Sequence, residues 1–161
     1  VTSPAGLTSI GKQAFYHCNS LAHVALPAGL TSFDSSAFPS TTACVPPPNS
    51  EVVDVGTWKV VITDGHAVLP EGMTHLPDRA FRNRTSLVSV AFPRSLVSIG
   101  SFAFHCPSLA AIDLPAGLTS IGKHAFFDCA ALTTAAFPAS LAFIGSHAFY
   151  SCEALGSVTF P

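Results

Sequence analysis

The stretch PAGLTSIGKQAFYHCNSLAHVAL, residues 4–26, decides the fold of this chain, because it returns almost unchanged as PAGLTSIGKHAFFDCAALTTAAF at residues 115–137. Weaker copies begin at Pro70, Pro93 and Pro138. Neighbouring copies are 23 residues long, except the copy that begins at Pro93, which has lost one residue before Cys106. A fixed period of about 20 to 50 residues is typical of solenoids, in which one supersecondary unit stacks on the next.

Aligned copies share the pattern P-x-x-L-x-x-I-G-x-x-A-F-x-x-C-x-x-L-x-x-V-x-L/F. The segment before each following proline alternates apolar and small residues, which predicts a short strand ended by a residue that lacks an N–H. Parallel strands stacked about 4.8 Å apart would form a narrow sheet. One apolar side chain of each strand is expected to point into the core: Val24, Val90, Ile112 and Val158.

Two further columns of the repeat carry structural expectations. The alanine–phenylalanine pairs predict an aromatic column in the core, made of Phe15, Phe38, Phe81, Phe104, Phe126 and Phe149. A glycine follows the isoleucine in most copies, at Gly11, Gly100, Gly122 and Gly145. We expect a tight turn or a left-handed backbone at these glycines. No phosphate-binding glycine motif accompanies them.

Charge and hydropathy exclude some function classes. The formal net charge is -2, so nucleic-acid binding has no electrostatic support at the level of the whole chain. The sequence has no apolar run of about 18 residues, which excludes a membrane-spanning helix. Charged residues make up only 10% of the chain and mean hydropathy is +0.47. Either short repeats devote many positions to a shared core, or part of the surface is buried in a larger assembly.

The arginines are clustered. All four lie in one copy of the repeat and the start of the next, after a segment rich in acidic residues: Arg79, Arg82, Arg84 and Arg94. The cluster is interpreted either as a polar break in the stack or as a docking patch for an anionic partner.

Residues 39–69 depart from the repeat. The distance from Pro27 to Pro70 is 43 residues, close to two periods, but the second half contains a proline run at 46–48. We expect either a degenerate turn, with Trp58 to Thr63 as a strand, or an inserted hairpin that turns at Gly56-Thr57. Trp58 would then cover a gap in the core or act as an exposed binding anchor.

The unit L-T-S-I-G-x-x-A-F-x-x-C-x-x-L-x-x-V-x-L-P resembles the BspA-like leucine-rich repeats, and the likeness covers nearly the whole chain outside residues 39–66. It implies a leucine-rich-repeat solenoid of the α/β class, with short parallel strands on the concave face and turns and short helical segments on the convex face. Many family members are surface proteins that attach to host or matrix proteins, which implies a cell-surface or extracellular location. The chain departs from the family pattern at Arg84, which replaces the cysteine, and at the deletion before Cys106.

The cysteines and histidines give little support for a catalytic or metal-binding site. Four cysteines share one slot of the repeat, and this predicts a buried column of free thiols rather than bridges: Cys18, Cys106, Cys129 and Cys152. Cys44 lies outside that slot. His124 and His147 share another slot and are interpreted as surface histidines, since no third ligand is evident. No catalytic group can be assembled from repeat positions, so we expect no enzyme, no metal and no cofactor. Asn83-Arg84-Thr85 matches a glycosylation sequon.

The outward residues of the strands predict a docking surface for a protein. They are small, which favours broad contact over a deep pocket. The predicted surface consists of His23, Ala25, Ser89, Ala91, Ala111, Asp113, Thr134, Ala136, Ser157 and Thr159. We therefore expect residues 1–161 to form one solenoid of about seven turns, a piece of a longer array, that acts as a non-catalytic protein-interaction module in adhesion or recognition. The alternative is a structural subunit or scaffold in a larger complex.

Overall fold

The computed structural model describes residues 6–161, and within them the chain forms short strands and no helix. The strands are β1 (Ser9–Ile10), β2 (His23–Ala25), β3 (Ser32–Asp34), β4 (Ala43–Val45), β5 (Ser50–Val55), β6 (Trp58–Thr63), β7 (His66–Val68), β8 (His75–Leu76), β9 (Phe81–Arg82), β10 (Ser89–Ala91), β11 (Ser98–Ile99), β12 (Phe104–His105), β13 (Ala111–Ile112), β14 (Ser120–Ile121), β15 (Thr134–Ala136), β16 (Phe143–Ile144) and β17 (Ser157–Thr159).

Strands from successive turns stack in parallel columns, as the repeat predicts. The strands before the prolines pair as β7 with β10 and β10 with β13, and β15 pairs with β17. The leucine–isoleucine segments form a second column in the order β8, β11, β14, β16. On the return path β9 pairs with β12, and Phe104 bridges to Phe126. This arrangement confirms the solenoid.

The return path differs from the prediction in one respect. It consists of turns and two-residue strands within residues 6–161, where short helical segments were expected. The residue before the alanine–phenylalanine pair has a positive φ in every copy except the one with Ser36, for example 61° at Arg79, 54° at Phe102 and 55° at His124. A left-handed residue at this position interrupts helical backbone geometry, and so these segments cannot form a helix.

The hairpin of β5 and β6 separates two parallel blocks of the solenoid. β1 pairs with β3 and β2 with β4 in the first block. β6 runs antiparallel to both β5 and β3, and then turns at Asp64-Gly65 into β7. Its side chains alternate between two cores, because Val61 packs in the cluster of the first block while Val60 and Ile62 pack in the cluster of the second. Trp58, partly buried, packs against the second core.

An unbroken stack of phenylalanine rings runs through the core of the second block. Ring centroids are 5.4 Å apart from Phe81 to Phe104, 4.9 Å from Phe104 to Phe126 and 5.1 Å from Phe126 to Phe149. The first block has a separate pair, in which Phe15 stacks on Phe38 at 5.3 Å. The rings lie nearly parallel because each turn repeats the backbone of the last, and each pair contributes about 0.5 to 1.5 kcal/mol beyond burial.

The repeated glycines have a different role from the one predicted. None of Gly11, Gly100, Gly122 and Gly145 has a positive φ. Instead, a Cβ on Gly122 would lie 2.7 Å from the carbonyl carbon of Gly100, and one on Gly145 would lie 2.5 Å from the amide nitrogen of Lys123. At Gly100, Gly122 and Gly145 glycine is needed because the backbones of consecutive turns touch, and not because the chain turns tightly.

Candidate protein-interaction surface

The strands that precede the prolines build one regular surface in the second block. β7, β10 and β13 pair in register, β15 packs beside β13, and β17 pairs with β15. The middle residues of β7, β10 and β15 point inward, and Ala67, Val90 and Ala135 are buried. The flanking residues point outward in two rows. We call this surface the strand face; it comprises His66, Val68, Ser89, Ala91, Ala111, Asp113, Thr134, Ala136, Ser157 and Thr159.

The structure brings together eight of the ten residues that the sequence predicts for this surface. Seven of them are exposed, and Ser89 is half-buried because its Oγ lies 2.6 Å from Nδ1 of His66. The other two, His23 and Ala25, are exposed on β2, which belongs to the small sheet of the first block. Val158, predicted to point into the core, is 51% exposed because β17 is paired on one side only.

Sequence reasoning missed four exposed residues of these strands. His66 and Val68 lie on β7, in register with Ser89 and Ala91. Ala43 and Val45 lie on β4, in register with His23 and Ala25. The signal was present for β7, because His66-Ala67-Val68-Leu69-Pro70 repeats the alternation and the closing proline of the other strands. Val68 adds an apolar side chain, 43% exposed, to a surface otherwise made of small residues.

The arginine cluster is divided between different environments. Nη1 of Arg84 donates to Oε2 of Glu51 on the hairpin at 3.0 Å, and both side chains are partly buried. The guanidinium of Arg82 lies 5.7 Å from the centroid of the Phe102 ring. Arg79 is exposed near Arg82, whereas Arg94 lies on the turn between β10 and β11. Arg84 therefore ties the hairpin to the second block, and an anionic docking patch around the others stays a prediction.

The predicted cysteine column is buried only in its middle turns, since Cys152 is partly buried and Cys18 is exposed. Cys106 and Cys129 are fully buried free thiols, and burial raises the pKa of Cys106 to about 11 and that of Cys129 to about 12. Sγ of Cys106 donates to the carbonyl oxygen of Phe81 at 3.1 Å. A thiol acts as a nucleophile only when ionised. Cys106 and Cys129 therefore pack the core as protonated thiols.

The histidine slot forms a stack on the return path. The His124 ring lies 4.6 Å from Phe102 and 5.0 Å from His147, nearly parallel to both. Desolvation is the largest cause that lowers the pKa of His124, and the charges of the neighbouring His147 and Lys123 lower it further.

Within residues 6–161 no three histidine, cysteine or acidic side chains are grouped closely enough to bind a metal ion. No helix in that range could cross a membrane.

Comparison with known proteins agrees with this geometry. The sequence model of the BspA type leucine rich repeat region matches residues 1–45 and 65–161 in six copies. The gap in the match contains the β5–β6 hairpin. No curated protein sequence matches the chain.

Several solved structures share the fold. A leucine-rich repeat protein of Treponema pallidum, TpLRR, is 28% identical, with a TM-score of 0.51 over 96% of this chain and 52% of its own. A leucine rich cell surface protein of Faecalibacterium prausnitzii is 23% identical, with a TM-score of 0.55 over 99% and 52%. The pneumococcal vaccine antigen PcpA is 23% identical, with a TM-score of 0.57 over 98% and 43%. The chain thus spans about half the length of these proteins.

Proposed function

Because this chain belongs to the BspA type leucine-rich repeat family, we propose that it is a non-catalytic module that binds a protein partner on its strand face. One observation carries the proposal: exposed side chains of β7, β10, β13, β15 and β17 form two rows on one regular surface. Most of these side chains are small, so a partner can approach the backbone closely over several turns.

The chemistry of the surface favours a protein partner over a small ligand. Most side chains of the two rows are small, which favours broad contact, whereas small-molecule sites are usually concave pockets. Asp113 is the one carboxylate among the ten residues of the strand face, and His66 and Val68 at its edge provide the larger side chains. A partner would therefore present a broad surface with an apolar contact near Val68.

Adhesion or recognition at a cell surface is the finer part of the proposal. The F. prausnitzii protein is described as a cell surface protein, and the pneumococcal protein as a vaccine antigen. Both similarities are of the fold alone, so a cell-surface location of this chain is a proposal. Non-catalytic action is proposed on the same family basis, and the buried thiols of Cys106 and Cys129, with raised pKa values, stay protonated at neutral pH.

A capture experiment with matched variants tests this function. The immobilised chain is compared with Ala111→Arg/Ala136→Arg, which places two large cations on the strand face. The control, Ala116→Arg/Ala139→Arg, carries the same substitutions at exposed positions on the proline turns. Proteins bound from native material are identified by mass spectrometry, and the affinity of a purified partner is then measured by calorimetry.

The proposal expects the strand-face variant to weaken binding at least tenfold, about 1.4 kcal/mol, and the control variant to leave it unchanged. Circular dichroism verifies that both variants fold. Equal binding by all three proteins would remove the strand face from the proposal.

A structural role in a larger assembly is the second candidate. It is favoured by the low share of charged residues, 10% of the chain, together with exposed apolar side chains within the array such as Val88 and Val97. In that case contacts would be made through surfaces other than the strand face, and the strand-face variant would assemble normally.

A further inference from the structure

A strip of aromatic and cationic side chains crosses the return path of the second block, on the turns at residues 70–137. Phe102 stacks on His124 with ring centroids 4.6 Å apart, Phe127 lies edge-on to His124 at 5.6 Å, and the Arg82 guanidinium lies 5.7 Å from the Phe102 centroid. The pKa of His124 is lowered first by desolvation, and the charge of Lys123 contributes, which places that ammonium near the ring. We call this surface the return-path strip; its exposed or half-exposed residues are Arg79, Arg82, Phe102, Lys123, His124 and Phe127.

Backbone preference does not explain two residues of the return-path strip. Arg79 and Phe102 have positive φ values, 61° and 54°, in a region that bulky side chains rarely occupy. The second left-handed position of the turn instead holds residues that enter this region readily, such as Asn83 and Asp128. Phe102 is also half-exposed, so burial does not account for it fully. An unfavourable backbone conformation that is kept at an accessible side chain points to a use of that side chain in binding.

Stacking determines which part of each ring a partner can reach. His124 lies between Phe102 and His147 and is nearly parallel to both, so both faces of its ring are covered. Phe102 has His124 on one face and the guanidinium of Arg82, from the turn before, over its ring. These rings therefore present their edges, which carry partial positive charge. A nucleobase, which binds by stacking on a ring face, finds no open platform here.

The charges around the return-path strip favour an anionic partner. Within residues 6–161 none of its three cations forms an ion pair. Two carboxylates lie beside it, and both are already bonded: Oδ1 of Asp78 accepts from the N–H of Ser101 at 2.6 Å, and Oδ2 of Asp128 lies 3.0 Å from Nε2 of His105. Free cations and ring edges both attract negative charge, so the two features favour the same partner.

We propose that the return-path strip binds an acidic segment of a protein partner, whose carboxylates contact the arginines, Lys123 and the ring edges. A guanidinium fork matches a carboxylate in two parallel hydrogen bonds. The three turns of the strip span about 10 Å at about 4.8 Å per turn, so an extended segment of roughly three to five residues crosses it. A long polyanion is disfavoured because the net charge of the whole chain is -2. This interface is additional to the strand face and shares no residue with it.

Fluorescence anisotropy with a defined peptide tests the proposal. The probe is a labelled peptide of about six residues in which aspartates and glutamates flank one phenylalanine, and the comparison peptide has asparagine and glutamine in place of the acids. We expect a dissociation constant on the order of 100 µM for the acidic peptide at low salt, and at least about tenfold weaker binding of the amide peptide. Binding of the acidic peptide should weaken as ionic strength rises.

Two variants and a matched control locate the binding. Arg82→Glu should weaken binding of the acidic peptide at least about tenfold. Lys12→Glu makes the same change in charge at an exposed position of the first block, and should leave the affinity within about twofold. Phe102→Asn introduces a residue that suits the left-handed backbone and removes the ring edge, and should weaken binding about threefold or more. Thermal unfolding verifies that each variant is folded.

Three results would overturn this interface: no binding of the acidic peptide, equal binding of the amide peptide, or equal affinities of Arg82→Glu and Lys12→Glu for the acidic peptide. Tighter binding of a single-stranded oligothymidylate than of the acidic peptide would also overturn it, in favour of a nucleic-acid partner. Failure of this proposal leaves the strand-face function untouched, because the two surfaces share no residue.

Discussion

Substitution of Gly122 by alanine should separate two turns of the solenoid, whereas the same change at Gly117, five residues earlier, should not. A Cβ on Gly122 would lie 2.7 Å from the carbonyl carbon of Gly100, about 0.7 Å inside the 3.4 Å at which ordinary contact begins. The obstacle is backbone, so no side chain can rotate away. A Cβ on Gly117 would meet its nearest atom, the carbonyl oxygen of Arg94, at 3.6 Å.

The cost at Gly122 follows from the hydrogen bonds that join the turns. Its N–H donates to the carbonyl oxygen of Ile99 at 2.8 Å, and the N–H of Phe102 donates to that of Lys123 at 3.0 Å. A displacement of about 0.7 Å moves both bonds beyond the usual range, at about 1 kcal/mol each. Overpacking adds roughly 1 to 3 kcal/mol. We expect Gly122→Ala to lower the free energy of unfolding by at least about 3 kcal/mol.

Gly117→Ala should instead raise the free energy of unfolding by about 0.5 kcal/mol, since φ is not positive there and alanine reduces the entropy of the unfolded chain. Urea unfolding followed by circular dichroism measures both. With a slope of about 2 kcal/mol per molar urea, the two midpoints should differ by roughly 1.7 M. Midpoints that coincide would show that turn spacing is not limited by contact at this glycine.

Three other predictions concern the stacked columns. Phe104→Ala removes a fully buried ring stacked on both sides and should lower the free energy of unfolding, measured in urea, by about 3 to 5 kcal/mol. Phe15→Ala removes a partly exposed ring and should lower it by only about 1 kcal/mol, and equal losses would contradict a role of the stack in stability. Burial raises the pKa of Cys129 to about 12, so a thiol reagent at pH 8 should modify the exposed Cys18 at least about a hundredfold faster than Cys129. Stability should also fall as the pH rises above about 9, because there only the unfolded chain ionises the Cys129 thiol. Because the pKa of His124 is lowered in the folded chain, the unfolded chain binds the proton more tightly, and stability should fall as the pH drops below about 6.5. His124→Phe introduces the residue that the preceding turn has in this slot, Phe102, and should reduce the dependence of the thermal unfolding temperature on pH.

The repeat made much of the fold predictable, because a 23-residue period determines both which residues stack and the register of the strands. The hairpin was less predictable. In β6 both faces are apolar, since Val61 faces one core while Val60 and Ile62 face the other. A continuous apolar run of this kind fits either a buried solenoid turn or a shared wall between two cores. Only the tertiary arrangement distinguishes them.

The repeated glycines show that a sequence pattern can indicate where a side chain is excluded without indicating what excludes it. Recurrence of glycine after isoleucine indicates that no side chain fits, and local backbone geometry was the expected reason. The contact that excludes a side chain lies between residues 22 or 23 positions apart, such as Gly100 and Gly122 or Gly122 and Gly145. Left-handed backbone occurs instead at residues such as Phe102 and His124, which carry full side chains.

The turn that has lost one residue before Cys106 still stacks between its two neighbours. Neighbouring turns have a left-handed residue just before this slot, Asn83 with φ 63° and Asp128 with φ 55°, but the shortened turn has only His105. The His105 imidazole spans the two neighbours, with Nδ1 2.7 Å from Oδ1 of Asn83 and Nε2 3.0 Å from Oδ2 of Asp128. One side chain thus links the shortened turn to both adjacent turns, and Cys106 remains buried in the stack. A repeat can lose a residue where a neighbouring side chain reaches both adjacent turns, and alanine at His105 would remove that bridge.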